Sequence, residues 1–428
     1  MDRKVSRRSF LHQASAGALG LTLLSRSRGA AAPSDRITVA HIGLGGMGRN
    51  HLSWFAAFPD VEIAALCDVD REHLEQAQTE LKKLRPESRA QGYADFRKVL
   101  ERQDIDVVTC ATPDHWHSRI AMLAFEAGKD VYGEKPLSYC AAEGRAMLES
   151  QRRTKRIFQL GTQIHAGDNY HRVVELLRSG ALGEIHTVRL WMTSRSPGLG
   201  FPANRKPPEA LDWDMWLGPA PMVPYNPARC HFSYRYFLDY SGGVFQDFWC
   251  HIADIVFWAL EPRGLKSIEA RGEPPYDGIA DAPGWIEVDY EFEGLKLHWT
   301  TVPPAVPGAE GKNLAAFFEG TEGTLLCTYD TREIRLGGQV LQDLDHVPKS
   351  IPRSPGHQRN FLDSVKSRSQ PESNLEYVRQ MTLPLHLGLI SYRLRRKLAW
   401  DSANERFIGD PAADYLLSRP GRSPWNIG

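Results

Sequence analysis

A histidine four residues beyond an aspartate is a spacing that chemistry can use. Ser241-Gly242-Gly243-Val244-Phe245-Gln246-Asp247-Phe248-Trp249-Cys250-His251 opens a helical pattern that continues through Leu260. Asp247 and His251 therefore share one helix face. Removing hydride from a secondary alcohol carbon requires a base for the hydroxyl proton, and histidine titrates in the right range. Asp247 could orient that base or hydrogen-bond the substrate. The same residues also fit a satisfied helix histidine and an ordinary surface carboxylate, and the spacing alone does not choose. Asp254 reads as a structural helix residue.

A second set of residues marks a dinucleotide. Gly43-Leu44-Gly45-Gly46-Met47-Gly48 follows the β-rich run Ile37–Ile42 and precedes a helical run from Asn50. Gly43 permits the tight turn, Gly45 lets the backbone approach a pyrophosphate, and Gly48 allows close helix–strand packing. The helix N-terminus offers unpaired N–H groups to the phosphates. Asp68 ends the second strand twenty residues after Gly48, where a carboxylate can accept both ribose hydroxyls. That placement favours NAD over NADP, whose 2′-phosphate would be repelled.

Two further blocks end later strands: Ala111-Thr112-Pro113-Asp114-His115-Trp116-His117 and Gly133-Glu134-Lys135-Pro136-Leu137. Ligands of an open parallel sheet bind beyond the carboxyl ends of its strands. Thr112, Pro113, His117, Glu134 and Lys135 thus point to the crevice of the glycine loop, although each block alone could be a plain turn.

The scaffold implied is an α/β domain over 36–160, a doubly wound parallel sheet of Rossmann type, because short strands alternate there with helical stretches such as Arg71–Leu84 and His117–Ala127. Beyond it the pattern changes. Ile286, Val288, Tyr290 and Phe292 alternate with Glu287, Asp289, Glu291 and Glu293, then Gly294 turns the chain into Leu295, Leu297 and Trp299. This is an antiparallel hairpin with one buried face. Residues 161–428 are expected to form an α+β domain with an open, mostly antiparallel sheet. It carries an insertion at 196–240 and ends in a helical pattern from His357 to Arg396 and a Pro-rich tail.

The chain has 428 residues, 42% of them hydrophobic, with 52 basic against 52 acidic side chains. Zero formal net charge gives no global electrostatic reason to bind nucleic acid or an anionic membrane, and a small neutral substrate fits better. Ser6-Arg7-Arg8-Ser9-Phe10-Leu11, the apolar stretch Ala14–Leu24 and Ala30-Ala31-Ala32 before Pro33 read as a twin-arginine signal peptide over 1–32. The mature chain is then expected in the periplasm, with no stable membrane span. An exported dinucleotide enzyme lacks a large cofactor pool, so its reaction must balance its own redox or use an external acceptor.

These motifs together resemble the glucose–fructose oxidoreductase / inositol dehydrogenase (Gfo/Idh/MocA) family, from Arg36 to about Trp425. The resemblance implies a Rossmann domain beside an open-sheet domain, and hydride transfer between NAD and a sugar or polyol carbon. It implies that Lys135 lies near nicotinamide and substrate, with Asp247 and His251 completing the catalytic site. On that basis His251 is assigned as general base, Asp247 as substrate ligand and orienter, and Lys135 as the cation facing the developing alkoxide. The cofactor is assigned to Gly43, Gly45, Gly46, Gly48, Asp68, Thr112, Pro113, His117, Glu134 and Lys135. Homo-oligomerisation follows from the same resemblance. Many relatives carry glycine where this chain has Trp249, a departure expected to reshape the pocket.

Other residues stay open. The insertion is rich in aromatics, including Trp213, Trp216, Tyr225, Phe232, Tyr234, Tyr236, Phe237 and Tyr240, which suit sugar stacking and core packing equally. His165, Asn169, His171 and Arg172 could line the pocket, but no third ligand with motif spacing supports a metal. Buried free thiols are the reading for the six cysteines, with Cys230 and Cys250 the pair to test. Three functions are compatible: a sugar, polyol or glycoside oxidoreductase holding its cofactor tightly; a redox-neutral NAD-dependent glycoside hydrolase; and a non-catalytic binding protein on the same scaffold.

Overall fold

The computed structural model describes residues 35–426, so the expected signal segment at 1–32 lies outside the described residues. Six parallel strands make the first sheet: β1 (Ile37–Ile42), β2 (Val61–Cys67), β3 (Gln91–Tyr93), β4 (Val107–Cys110), β5 (Asp130–Gly133) and β6 (Phe158–Leu160). Their order, β3-β2-β1-β4-β5-β6, puts the reversal of winding between β1 and β4. A crevice opens there beyond the strand ends, and both the glycine loop and the Thr112–Pro113 loop border it. Strands β4 and β5 are wholly buried, as a sheet covered on both faces requires.

The covering helices are α1 (Gly46–Ala56), α2 (Arg71–Leu84), α3 (Phe96–Leu100), α4 (Asp114–Glu126) and α5 (Ala141–Thr154). Two begin earlier than their apolar periodicity suggests. Helix α1 starts at Gly46 and α4 at Asp114, so the last residues of both sequence blocks form first helical turns. Helix α6 (Asp168–Arg178) leads into the second half.

The second sheet has ten strands: β7 (Ile185–Met192), β8 (Ser267–Glu273), β9 (Trp285–Glu291), β10 (Lys296–Thr300), β11 (Leu314–Gly320), β12 (Gly323–Cys327), β13 (Arg332–Leu336), β14 (Gln339–Leu341), β15 (Leu398–Asp401) and β16 (Arg406–Phe407). Only β7 and β10 pair in parallel; the other neighbours are antiparallel. The β9–β10 hairpin buries Ile286, Val288, Tyr290, Leu297 and Trp299, the face its alternation predicts. Against that face lie α8 (Gly243–Leu260) and α10 (Leu375–Leu394), after the short α7 (Trp213–Leu217) and α9 (His357–Ser367) in chain order.

Two later segments return to the first sheet. Phe361 of α9 packs edge-on to Phe55 and Tyr132, with ring centroids 6.4 and 5.6 Å away. Beyond α11 (Pro411–Tyr415), Trp425 meets Trp116 at 4.9 Å, and Arg97 lies over its ring. Among the described residues no helix is long and apolar enough to cross a membrane.

The insertion at 196–240 is a strap with a small core of its own. Trp213 and Trp216 stack at 4.8 Å, and Tyr234, Phe237 and Tyr240 pack with them. It is fastened to the first sheet near β2. Arg71 N–H donates to Ala210 O (2.9 Å), Asp212 N–H to Val69 O (3.0 Å), and His231 Nε2 lies 2.9 Å from Asp70 Oδ2. Further along, Trp216 O accepts from His115 Nε2 and Trp116 Nε1, both at 3.0 Å.

Candidate active site

The crevice is a cleft of about 390 Å³. Gly43, Gly45, Gly46 and Asp68 line it from one side, Thr112, Pro113, Glu134 and Lys135 from another, and Trp216, His231, Phe232, Tyr234 and Arg235 of the strap from above. Gly43 has φ +83°, and a Cβ there would stand 2.7 Å from the Ala111 carbonyl carbon. A Cβ on Gly48 would strike Gly43 O at 1.9 Å, so Gly48 serves packing and does not line the cleft. Over Gly45 and Gly46 a Cβ would meet nothing within 4 Å. That open space above an uncapped helix start is a cradle for a pyrophosphate. Asp68 is held in register by Leu44 N–H on Oδ2 (2.6 Å) and Asp70 N–H on Oδ1 (2.8 Å). The donor set therefore fits a dinucleotide with a free ribose diol.

Lys135 closes the inner end. Its Nζ donates to Asp247 Oδ1 at 2.5 Å and to Asp247 O at 3.0 Å, joining the loop after β5 to the first turns of α8. Arg235 Nε stands 3.3 Å from the other carboxylate oxygen, Oδ2. Burial works against the Asp247 charge, but Lys135 and Arg235 outweigh it and hold the carboxyl at about 2. Lys135 is raised despite its own burial, because Asp247 faces it. One turn on, His251 is lowered to about 4, first by burial and then by Lys135, and stays neutral at ordinary pH. Its Nδ1 lies 2.7 Å from the Tyr329 hydroxyl, and among the described residues Nε2 has no hydrogen-bond partner.

Glu134 lies behind Lys135, accepting from His51 Nε2 at 2.8 Å; this buried pair is lodged against Gly161, where a Cβ would meet Glu134 Oε1 at 2.6 Å. His117 stands behind the cleft wall instead of lining it. It belongs to the first turn of α4, and its ring nitrogens reach Pro136 O (2.7 Å) and Thr112 O (2.8 Å). It braces the two loops that carry Thr112 and Lys135.

Several sequence expectations find other places. Trp249 is fully buried, donates from Nε1 to Met381 O at 2.8 Å and packs on Phe245, Tyr290 and Trp299. Two residues on from Asp247 is more than half a turn around the helix, so it faces the sheet and not the pocket. His165 pairs with Asp254 (3.0 Å) and stacks on Trp258, which makes Asp254 a structural residue as read. Asn169 ties the Thr328–Thr331 turn, His171 caps back to Gly167 O, and Arg172 holds Asp343, so these three, like His165, are fold ties outside the cleft. All six cysteines are free, Cys230 and Cys250 included. The strap aromatics divide: Trp213, Phe237 and Tyr240 pack its core, Trp216 and Tyr234 pack there and also line the cleft, and the exposed Phe232 lines the cleft from outside that core.

Sequence reasoning missed Arg235, Tyr329, His51 and the His73–His231 pair, whose rings lie 4.3 Å apart beside Asp68 and Asp70. Arg235 had a faint signal, a cation inside the Tyr234–Tyr236 cluster just before α8. Tyr329 had none, since only the sheet register brings its turn to α8.

A parallel sheet with a glycine loop open over a helix start, an aspartate at the end of β2 and a Lys–Asp–His cluster fits a dinucleotide-dependent oxidoreductase. The models of the oxidoreductase family match on both halves: the NAD-binding Rossmann fold over residues 37–162 and the C-terminal alpha/beta domain over 198–427. The chain belongs to the Gfo/Idh/MocA oxidoreductase family, and its cofactor is NAD.

Among curated relatives, a glycosyl hydrolase family 109 protein of Shewanella pealeana is 29% identical over 203 residues, 42% of this chain and 44% of that protein. One from Shewanella sp. W3-18-1 is 30% identical over 154 residues, 35% of this chain and 34% of that protein. The chain thus spans less than half the length of these relatives. Among solved structures, the WlbA dehydrogenase of Bordetella pertussis with NADH and UDP-GlcNAcA aligns with a TM-score of 0.63 at 16% identity, covering 86% of this chain and 99% of that one. A levoglucosan dehydrogenase with NADH and levoglucosan aligns at 0.62 and 18%, covering 85% and 99%. At such identities the likeness is one of fold.

Proposed function

We propose that this chain is an exported NAD-dependent oxidoreductase that moves a hydride to or from a secondary alcohol carbon of a sugar, polyol or glycoside and holds its cofactor tightly. The observation that carries it is the Lys135–Asp247 pair at 2.5 Å closing the inner end of the cleft, with His251 one turn away. Bound NAD would supply the hydride acceptor or donor. Lys135, kept charged, donates to the oxygen on which negative charge develops. Asp247, kept ionised, only accepts, and orients a substrate hydroxyl. His251, kept neutral by burial, takes the hydroxyl proton at Nε2 while Nδ1 faces Tyr329. Export rests on the twin-arginine pattern. Self-association is assigned to the polar face of the second sheet, where Arg189, Glu287, His298 and Glu319 lie.

A second reading is redox-neutral glycoside hydrolysis: a ring carbon is oxidised, the leaving group eliminated, water added and the ketone reduced. The named glycosyl hydrolase relatives support it, and it needs no cofactor pool. One experiment separates the two. Purified protein is denatured to assay released NAD(H), then the native protein is offered p-nitrophenyl glycosides and paired free sugars. Nitrophenol release without net redox selects the hydrolase; conversion of one sugar matched by reduction of a second selects the oxidoreductase. Neither activity from cofactor-loaded protein overturns both. Lys135→Ala should lower the selected activity by at least about 100-fold while the protein still folds. Wild-type-like turnover in that folded variant removes the site assignment.

A further inference from the structure

We propose that Arg235, which the strap carries into the cleft, is a positioning residue. It clamps the second oxygen of Asp247 so that this carboxylate stays a fixed, acceptor-only group facing the substrate. The inference holds for either chemistry above, since it concerns the state of Asp247 and not the fate of the substrate.

The geometry is that of a clamp with one jaw closed. Lys135 takes Oδ1 at 2.5 Å and also holds the backbone carbonyl, so it fixes one oxygen and the position of the residue. It cannot fix the rotation of the carboxylate plane by itself. Arg235 stands at the other oxygen, with Nε 3.3 Å from Oδ2. That N–H is buried and, among the described residues, makes no hydrogen bond. Hydrogen bonds of a catalytic site are often long before substrate binds and tighten afterwards. A shift of a few tenths of an ångström would give Arg235 a charge-assisted bond of ordinary length.

Arg235 is itself held in place. Its Nη1 donates to Phe232 O at 3.1 Å, and its guanidinium lies 4.5 Å from the Phe232 ring and 4.7 Å from the Tyr234 ring. Tyr234 donates to Asp114 Oδ1 at 2.9 Å, while Ser241 Oγ and Gln246 Nε2 reach Asp114 Oδ2 at 2.5 and 3.0 Å. Asp114 is 3% exposed and opens α4, so one buried carboxylate locks the strap, the Rossmann helix and the start of α8 together. This is no surface ion pair. The Arg235 side chain is 21% exposed and that of Asp247 19%. A planar guanidinium suits the place better than an ammonium, since it stacks between rings while turning one edge to a carboxylate.

The test reads Asp247 directly in the full-length, cofactor-loaded protein labelled with [γ-13C]aspartate. The Asp247 carbon resonance is assigned by its loss in Asp247→Asn and followed from pH 7 to the acid-unfolding limit. In the wild type the signal should stay that of the ionised carboxylate down to the acid-unfolding limit, and in folded Arg235→Gln protonation should set in at a pH about one unit or more above that limit. Arg235→Lys should fall between, because charge returns without the planar edge. Thermal melts confirm that each variant is folded. Protonation that sets in no higher in folded Arg235→Gln than in the wild type overturns the proposal; should that variant not fold, the same result in Arg235→Lys together with Tyr234→Phe, which loosens the stack, overturns it equally.

Discussion

His251 and Tyr329 stand 78 residues apart in the chain, yet His251 Nδ1 lies 2.7 Å from the Tyr329 hydroxyl. The phenol comes from the turn after β12 and meets α8 at the face that carries Asp247. A base whose second nitrogen is fixed presents the first in one direction. Tyr329→Phe removes the hydroxyl and keeps the ring, so kcat should fall about tenfold with KM within about twofold, against a loss of about 100-fold or more in His251→Ala. Steady-state kinetics on the substrate found by the glycoside panel checks both. Equal losses in the two variants would mean that Tyr329 does more than orient.

His231 reaches from the strap to Asp70 at 2.9 Å, at the ribose end of the cleft. His231→Ala removes that fastening, leaving the two backbone bonds to Val69 and Arg71. Nucleotide should then leave about tenfold faster, as expected for losing one hydrogen bond to a charged group. The measurement is NAD(H) remaining on the protein after timed gel filtration. Unchanged retention would show that the strap holds without this contact.

Trp249 fills the core under α8. Trp249→Ala should cost about 3–5 kcal/mol of stability through the cavity it leaves. KM should change by less than about threefold, because the indole does not reach the cleft. Denaturant titration and kinetics together decide; a large KM change at small stability cost would return Trp249 to the pocket.

Acid should weaken the fold early. Burial lowers His41, His115 and His386 to about 3, and His251 and His357 to about 4. The folded state keeps these rings neutral, whereas the unfolded chain protonates them below about pH 6.5. Unfolding then takes up protons, so stability present above that pH is lost progressively as pH falls toward 4. Denaturant midpoints measured from pH 7.5 to 4.5 should decline steadily, and a flat profile would contradict the neutral assignment.

Much of this architecture is legible in the residues. The glycine loop, Asp68 and the β9–β10 alternation specify local geometry directly, because turns, caps and one-sided burial are short-range effects. Lys135, Asp247 and His251 are legible through their motifs, and the structure brings the first two together. What escapes is set by chain path. Tyr329 arrives by sheet register and Arg235 by the route of a long loop, neither of which leaves a periodic trace. His117 misleads for another reason: a residue next to a strand end seems aimed at the ligand, but inside the first turn of α4 it points backward to the loops. Trp249 shows the same effect, since proximity to Asp247 in sequence puts it on the opposite side of the helix.

The packing of Phe361 on Phe55 and Tyr132, and of Trp425 on Trp116, has a consequence for how the molecule is made. The nucleotide-binding half precedes in the chain the segments that buttress it. A ribosome that has released only the first 160 or so residues has produced a sheet lacking both aromatic buttresses. The cleft also takes Trp216, His231, Phe232, Tyr234 and Arg235 from the strap, so neither its lining nor its buttressing is finished within the first 160 or so residues.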